Sequence, residues 1–173
     1  MSPQAEGRPI EGMKTTIAAL YEYGVWANER LLDKARGLDH ADLTRQFSRG
    51  AQPILPTLVH LYAADFRWLH RWRRQPPPEV APADFPAVEA VEERWRVMWA
   101  ERRAYLAGLD QAALEEEIPF TRPAGTVSIV RWQAIVHCAN HATQHRSEFA
   151  MMLSDLGRSP GDMDMFLWAT RPR

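Results

Sequence analysis

Three of the six histidines in this 173-residue sequence fall within one short segment, HCANHATQHR. His137, His141 and His145 are spaced by four, and side chains four apart on an α-helix lie on one face with Cβ atoms about 5–6 Å apart. Two imidazoles at that spacing can share one divalent ion, and Zn²⁺, Ni²⁺ and Fe²⁺ all suit imidazole ligands. The segment therefore predicts a metal-binding helix.

The residues around these histidines are uncharged, which favours the same interpretation. No Asp, Glu, Lys or Arg occurs between Arg131 and Arg146, and a helix without charges is expected to be largely buried. A buried ring without a partner is costly, so the histidines need partners. His137 and His145 are about 12 Å apart along a helix axis, so one ion can bind only two neighbours in the series.

A third ligand then has to come from another helix, and His60 and His70 are the candidates. His60 lies in the middle of the second predicted helix, whereas His70 lies in RWLHRWRR, which is typical of a solvated helix end. His60 is therefore favoured. The alternation of Arg and Trp in RWLHRWRR is also compatible with stacking on nucleic acid. A net charge of −1 argues against a broad polyanion-binding surface, so no nucleic-acid partner is expected.

Apolar residues recurring at three and four predict four long helices in an all-α four-helix bundle with a short C-terminal fifth helix. Residues 1–12 are expected to form a flexible N-terminal extension and residues 13–173 a single domain. Ser128 is the predicted N-cap of the fourth helix, and Gly157 is its predicted C-terminal stop. The predicted long helices span residues 13–36, 55–74, 87–109 and 128–156, with an extended loop or small hairpin over 110–126.

The composition also bounds the location and the partners. No run approaches the ~20 apolar residues of a membrane span, so no membrane association is expected. A single cysteine, Cys138, cannot form an internal disulfide and is expected to be a small buried residue in a cytoplasmic protein. Trp68 and Trp72 lie off the main apolar stripe of the second helix, and this surplus of apolar surface predicts a homodimer.

Several segments together resemble one known family. LVHLYAADFRWL followed by HCANHATQHR is similar to the paired histidine signatures of the DinB/YfiT-like family of predicted metalloenzymes. YEYGVWANERLL near the N-terminus and SPGDMDMFLW near the C-terminus look like further elements of that family. The resemblance spans about residues 13–168, and NHATQHR is its most specific part.

The resemblance implies a metal site formed by His60, His141 and His145, with His137 and Asn28 next to the ligands without binding the metal. It also implies a four-helix bundle that often pairs into dimers. Glu148 follows His145 by three residues on the same helix face. It is expected either to orient a ligand or accept a proton, or to form a surface ion pair with an arginine.

Two functions remain open at this point. The first is a mononuclear enzyme in which the metal activates a water or a thiolate to act on a small-molecule substrate. The resemblance implies transfer or isomerisation with a low-molecular-weight thiol, or else metal-assisted hydrolysis. The second is a non-catalytic dimeric bundle in which the metal or a small ligand serves stability or sensing. Structural zinc sites are closed by four protein ligands, and only three convincing ligands are found here, which favours the enzyme.

Overall fold

The computed structural model describes residues 8–47 and 52–172. Seven α-helices, a two-stranded hairpin and a short 3-10 helix at Pro82–Asp84 are found in this part of the chain. The helices are α1 (Arg8–Ala35), α2 (His40–Thr44), α3 (Ile54–Trp72), α4 (Val88–Ala107), α5 (Gln111–Glu115), α6 (Arg131–Asp155) and α7 (Met165–Thr170), and the strands are β1 (Glu117–Arg122) and β2 (Gly125–Val130). The four long helices and the short last helix confirm the predicted all-α bundle.

The long helices run in two parallel pairs. The Tyr21 hydroxyl of α1 donates to the Ile135 carbonyl of α6, and Arg30 further along α1 donates to Pro160, just after α6 ends. These contacts make α1 and α6 parallel. In the same way α3 and α4 are parallel, because Tyr62 in the middle of α3 is in ring contact with Phe85 just before α4, while Trp72 at the end of α3 accepts a hydrogen bond from Tyr105 near the end of α4.

The two pairs are antiparallel to each other. Arg36 after the end of α1 binds Glu92 near the start of α4, while Lys14 near the start of α1 donates to Ala107 at the end of α4. On the opposite side of the bundle, His60 of α3 lies beside His145 of α6. Each helix therefore packs between two others, in the ring α1, α6, α3, α4.

The core fills the space between the four long helices with large apolar side chains. The largest that are fully buried include Trp72, Trp95, Phe149, Leu58 and Leu61. At about 25 cal/mol per Å² of buried apolar surface, this core is the main source of stability. The burial of Trp72 corrects the prediction that it lies outside the core, so it does not support dimerisation. Formation of a homodimer stays a prediction, for which the exposed Phe166 of α7 is the clearest support.

The first helix begins earlier than predicted. It starts at Arg8, so residues 8–12, which were predicted to lie before the helix, are helical. Residues 1–7 lie outside the described residues, and the flexibility of the N-terminal segment stays a prediction. Pro9 does not prevent the earlier start. A proline is tolerated in the first turn of a helix, because the N–H groups of that turn have no partner within the helix.

The segment between α4 and α6 resolves into a short helix and a hairpin. Asp110 caps α5 by accepting a hydrogen bond from the Ala113 N–H, and β1 then pairs antiparallel with β2. The prediction of Ser128 as a helix cap is wrong, because Ser128 lies in β2 opposite Pro119 and α6 begins only at Arg131. The hairpin lies against α3 through the stacked rings of Phe120 and Trp68.

Gly157 ends α6 as predicted. Its φ of +71° is a left-handed conformation that favours glycine. The N–H of Arg158 donates to the Leu153 carbonyl and that of Gly157 to the Ser154 carbonyl, a pattern that satisfies the last carbonyls of a helix. No helix among the described residues is long and apolar enough to cross a membrane.

Candidate metal centre

The structure brings His60, His141 and His145 together where α3 packs against α6. One ligand nitrogen from each ring lies within 4.8 Å of the other two. The centroid of the His145 ring is 4.7 Å from that of His60 and 4.6 Å from that of His141. The i, i+4 pair on α6 faces His60 of the antiparallel α3, so two helices supply the cluster.

The spacing fits one divalent ion. The Nε2 atoms of His141 and His145 are 3.2 Å apart. Zn–N bonds of about 2.0–2.1 Å in a tetrahedral site place ligand nitrogens about 3.4 Å apart. Two lone pairs at this distance repel each other unless a proton or a cation lies between them. The donor set therefore fits a zinc, nickel or ferrous ion.

Glu148 holds the ring of His145 in the orientation that metal binding requires. The His145 Nδ1–H donates to Glu148 Oε2 over 2.8 Å. Burial raises the pKa of the Glu148 carboxyl, but the hydrogen bonds from His145 and Gln144 outweigh burial and lower it below its ordinary value. An ionised carboxylate only accepts hydrogen bonds. The proton therefore stays on Nδ1, and the Nε2 lone pair is left free on the side of His141.

This arrangement is the one expected for a histidine ligand, whose second nitrogen usually donates to a carboxylate or carbonyl. Of the two roles expected for Glu148, the structure shows the hydrogen bond that orients a ligand. Among the described residues Glu148 has no arginine partner. The positive charge of His60, in its protonated form, also helps to lower the pKa of Glu148.

The surroundings favour the neutral form of two of the rings. Partial burial, followed by repulsion from His145 in its protonated form and from Arg67, lowers the pKa of His60 below its ordinary value. Partial burial, followed by the charges of the neighbouring histidines, also lowers the pKa of His141. A neutral imidazole is the form that binds a metal, so the two rings are ready to bind an ion at neutral pH.

The centre lies at the solvent edge of the bundle. His60 is exposed, and His141 and His145 are half-buried. The prediction of a largely buried α6 is therefore wrong. The outer face of α6 contains exposed uncharged polar residues, which hydrogen-bond to water without a charge; they include Gln133, Asn140, Thr143, Gln144 and Ser147. The buried face instead contains Ala134, Cys138, Ala142, Arg146 and Phe149, which confirms Cys138 as a small buried residue.

The other candidate residues lie outside the cluster. The ring of His137 is one turn away, with its centroid 6.0 Å from that of His141, and its nearest aromatic partner is Trp68 at 5.4 Å. His70 hydrogen-bonds to the Phe66 carbonyl through Nδ1 and takes no part in the cluster. Asn28 is buried on α1 and has no hydrogen bond to the three rings. Its predicted place beside the metal stays a prediction.

Some residues near the centre were not found by sequence reasoning. Trp68 stacks on Phe120 of β1, with ring centroids 5.2 Å apart, and the Arg71 guanidinium lies about 5 Å from both rings. Helical periodicity is the sequence signal that could have identified the two arginines. Arg67 and Arg71 follow His60 by seven and eleven residues, which is close to two and three turns at 3.6 residues per turn, so the three lie along one face of α3.

A four-helix bundle in which two helices supply three histidines defines the fold and the site. The chain belongs to the DinB family, whose model matches residues 13–173. It is 22% identical to the protein DinB of Bacillus subtilis over 161 residues, which is 88% of this chain and 94% of that protein.

A solved structure supports the fold independently. YfiT from Bacillus subtilis, described as a probable metal-dependent hydrolase with an unusual four-helix bundle topology, superposes with a TM-score of 0.62. The likeness covers 92% of this chain and 94% of YfiT at 13% sequence identity. At that identity the likeness shows the shared bundle, and the site has to be argued from the residues of this chain.

Proposed function

We propose that this protein is a cytoplasmic, mononuclear metal-dependent enzyme in which His60, His141 and His145 hold one divalent ion and which hydrolyses a small molecule. The observation that carries the proposal is the number of donors. The cluster offers three nitrogens, and among the described residues no fourth His, Cys, Asp or Glu joins it. Structural zinc sites are closed by four protein ligands, whereas catalytic sites keep a position open.

The exposure of the centre supports a catalytic role. Because His60 lies at the surface, a small molecule can approach the three nitrogens from solvent without a large opening of the bundle. When bound, a divalent ion supplies a lowered water pKa and polarises a carbonyl or phosphoryl oxygen. The description of YfiT as a probable metal-dependent hydrolase favours hydrolysis as the reaction class.

The chain's own residues have separate tasks in this proposal. Glu148 keeps the proton of His145 on Nδ1 and fixes the ring plane. The antiparallel packing of α3 on α6 fixes the distance between His60 and the α6 pair. His137 and Trp68 lie along the same α3/α6 contact, one turn from the cluster, where they are placed to contact the part of a substrate that does not react.

Metal analysis and zinc titration of alanine variants test the ligand set. His60→Ala, His141→Ala and His145→Ala each leave two imidazoles and are expected to lose stoichiometric zinc. His137→Ala is expected to keep the metal at saturating concentration, because loss of a neighbouring residue typically costs only about 10–100-fold in affinity. His70→Ala is the matched control on α3. A His137→Ala variant without metal beside a fully loaded His145→Ala would move the chelating pair to His137 and His141.

The reaction is tested on the metal-loaded and metal-free wild-type protein. A panel of small esters, amides and phosphoesters is assayed with and without a low-molecular-weight thiol, the cofactor that the family resemblance implies. Metal-dependent hydrolysis without thiol is the expected result. Turnover only with thiol would indicate transfer or isomerisation instead. Stoichiometric metal without turnover of any compound would favour the non-catalytic alternative.

A further inference from the structure

The segment RWLHRWRR at the end of α3 contains four arginines, and the structure divides them into two pairs. Arg73 Nη1 lies 3.1 Å from Glu101 Oε2, and Arg74 is paired with Glu116. Arg67 and Arg71, in contrast, have no carboxylate within ion-pair distance among the described residues. The two arginines without a carboxylate are the ones that share a helix face with His60.

Both arginines lie on the face of α3 that contains His60. They follow His60 by seven and eleven residues, which is close to two and three helical turns. Between Arg71 and the cluster lies a row of neighbouring rings, Trp68, His137 and His141. The Arg71 guanidinium lies 5.1 Å from the Trp68 ring, whose centroid is 5.4 Å from that of His137. The row ends at His141, whose ring centroid is 6.0 Å from that of His137.

The environment of Arg71 favours an anionic partner. Its guanidinium carbon lies 5.1 Å from the centroid of the Trp68 ring and 4.9 Å from that of the Phe120 ring, in cation–π contact with both. Among the described residues the guanidinium N–H groups have no hydrogen-bond acceptor, so they are available to an anion. Burial, followed by the like charge of Arg67, lowers the pKa of Arg71. A half-buried cation beside a second cation is relieved by an anion that binds both.

We propose that Arg67 and Arg71, together with the rings of Trp68 and Phe120, form a subsite for the carboxylate or phosphate group of a small aromatic or otherwise planar substrate. The inference rests on the proposed function, since it describes how a substrate is held while its reacting group lies at the three histidines. Arg67 lies about 10 Å and Arg71 about 16 Å from His60 along the helix axis. The substrate is therefore long enough to span two to three helical turns.

Only Arg67 and Arg71 of this basic segment lack a carboxylate partner among the described residues, and this number indicates a small ligand. Affinity for a nucleic-acid backbone requires many phosphate contacts, and two arginines match one anionic group instead. Arg73 and Arg74 are already occupied by carboxylates, so the basic run that the sequence shows is not a continuous basic surface in the fold.

Binding of simple anions to the metal-free protein tests this subsite separately from the metal. Benzoate and phenylphosphonate are titrated by NMR against neutral benzamide, with the Trp68 indole N–H as the local signal. The two anions are expected to bind at least about tenfold more tightly than benzamide, because hydrogen bonds to charged groups are the stronger ones. The tighter of the two identifies whether a carboxylate or a phosphoryl group is preferred.

Variants assign the binding to the two arginines. Arg67→Gln and Arg71→Gln are each expected to weaken benzoate or phenylphosphonate binding about tenfold. Arg103→Gln, which removes an exposed arginine already paired with Glu22, is expected to leave it unchanged. Thermal unfolding of each variant verifies that it is folded.

Three results would overturn the subsite: equal binding of benzamide, an equal loss in Arg103→Gln, or anion binding that appears only with zinc. The third would show that the anion binds the metal itself. Anion binding at Trp68 in a protein without any metal-dependent hydrolysis would overturn the proposed function and leave the subsite intact. The two proposals therefore fail in different ways.

Discussion

Charged groups are treated differently on two sides of the bundle. Where α4 packs against α1 and α3, cations and carboxylates are matched: Arg103 with Glu22, Arg36 with Glu92, and Arg102 with Asp65. Where α3 packs against α6, three imidazoles lie together and two arginines lack a carboxylate among the described residues. On the first side each of these charges has a partner within the protein, whereas on the second side the proposed cation and anion would supply the missing partners.

This difference separates residues that stabilise the fold from candidate ligand-binding residues. Asp65 is buried and accepts hydrogen bonds from Arg102 Nη1 at 2.9 Å and Trp95 Nε1 at 3.2 Å. Its removal leaves a buried charge unpaired. His60, in contrast, is on the same helix but exposed, and its removal leaves no buried charge. The two positions on α3 are therefore expected to affect different properties.

The largest effect on stability is expected for Asp65→Ala. Breaking a buried ion pair by removing one partner typically costs about 3–5 kcal/mol, and urea unfolding measures this loss. The double variant Asp65→Ala/Arg102→Met is the control, and it is expected to recover part of the loss because no charge is then left buried. Zinc stoichiometry of the folded Asp65→Ala protein should equal that of wild type. A loss below about 1 kcal/mol would contradict the comparison.

The sequence was most informative about the histidine helix and its partner. Spacing of four placed His141 and His145 on one face, and the interior position of His60 in its helix distinguished it from His70. The interpretation of missing charge as burial failed, because Asn140, Gln144 and Ser147 are polar enough to be solvated. Absence of charge does not distinguish a buried face from a neutral exposed one.

Other features depend on contacts that a single sequence does not specify. Arg71 and Arg73 are two residues apart, yet one stacks on aromatic rings and the other pairs with Glu101. Which arginine finds a carboxylate is decided by α4 and the hairpin, whose positions follow from tertiary packing. The sequence is compatible with either a hairpin or an extended loop over residues 110–126. Ser128 belongs to β2 and not to α6, because its role depends on the strand opposite.

A smaller effect, on the ligand-binding side, is expected for Glu148→Ala. Without the carboxylate the His145 ring loses the partner that keeps its proton on Nδ1, and zinc affinity is expected to fall about 10–100-fold. Competition titration with a chelator of known affinity measures the change. Asp155→Ala, which removes an exposed acid from the same helix, is the matched control. Equal affinities in wild type and Glu148→Ala would show that the ring is held by the helix packing alone.

The smallest effect is expected at the surface pair of Glu22 and Arg103, and its sign depends on pH. The hydrogen bond from Arg103 lowers the pKa of Glu22 below its ordinary value of 4.5. A carboxyl with a lowered folded-state pKa stabilises the fold above its ordinary pKa, and this contribution is lost as the pH falls through the lowered value. Both side chains are substantially exposed, so the contribution at pH 7 is expected to be at most about 1 kcal/mol.

Urea unfolding of wild type and Glu22→Gln across pH 7 to 3 measures this contribution. The two proteins should differ slightly at pH 7 and converge at the acid end, because a protonated Glu22 resembles the amide that replaces it. Glu29→Gln, an exposed position on the same helix without an ion pair among the described residues, controls for the general loss of one negative charge. A difference that persists at pH 3, or that Glu29→Gln reproduces, would show that the pair itself does not stabilise this side of the bundle.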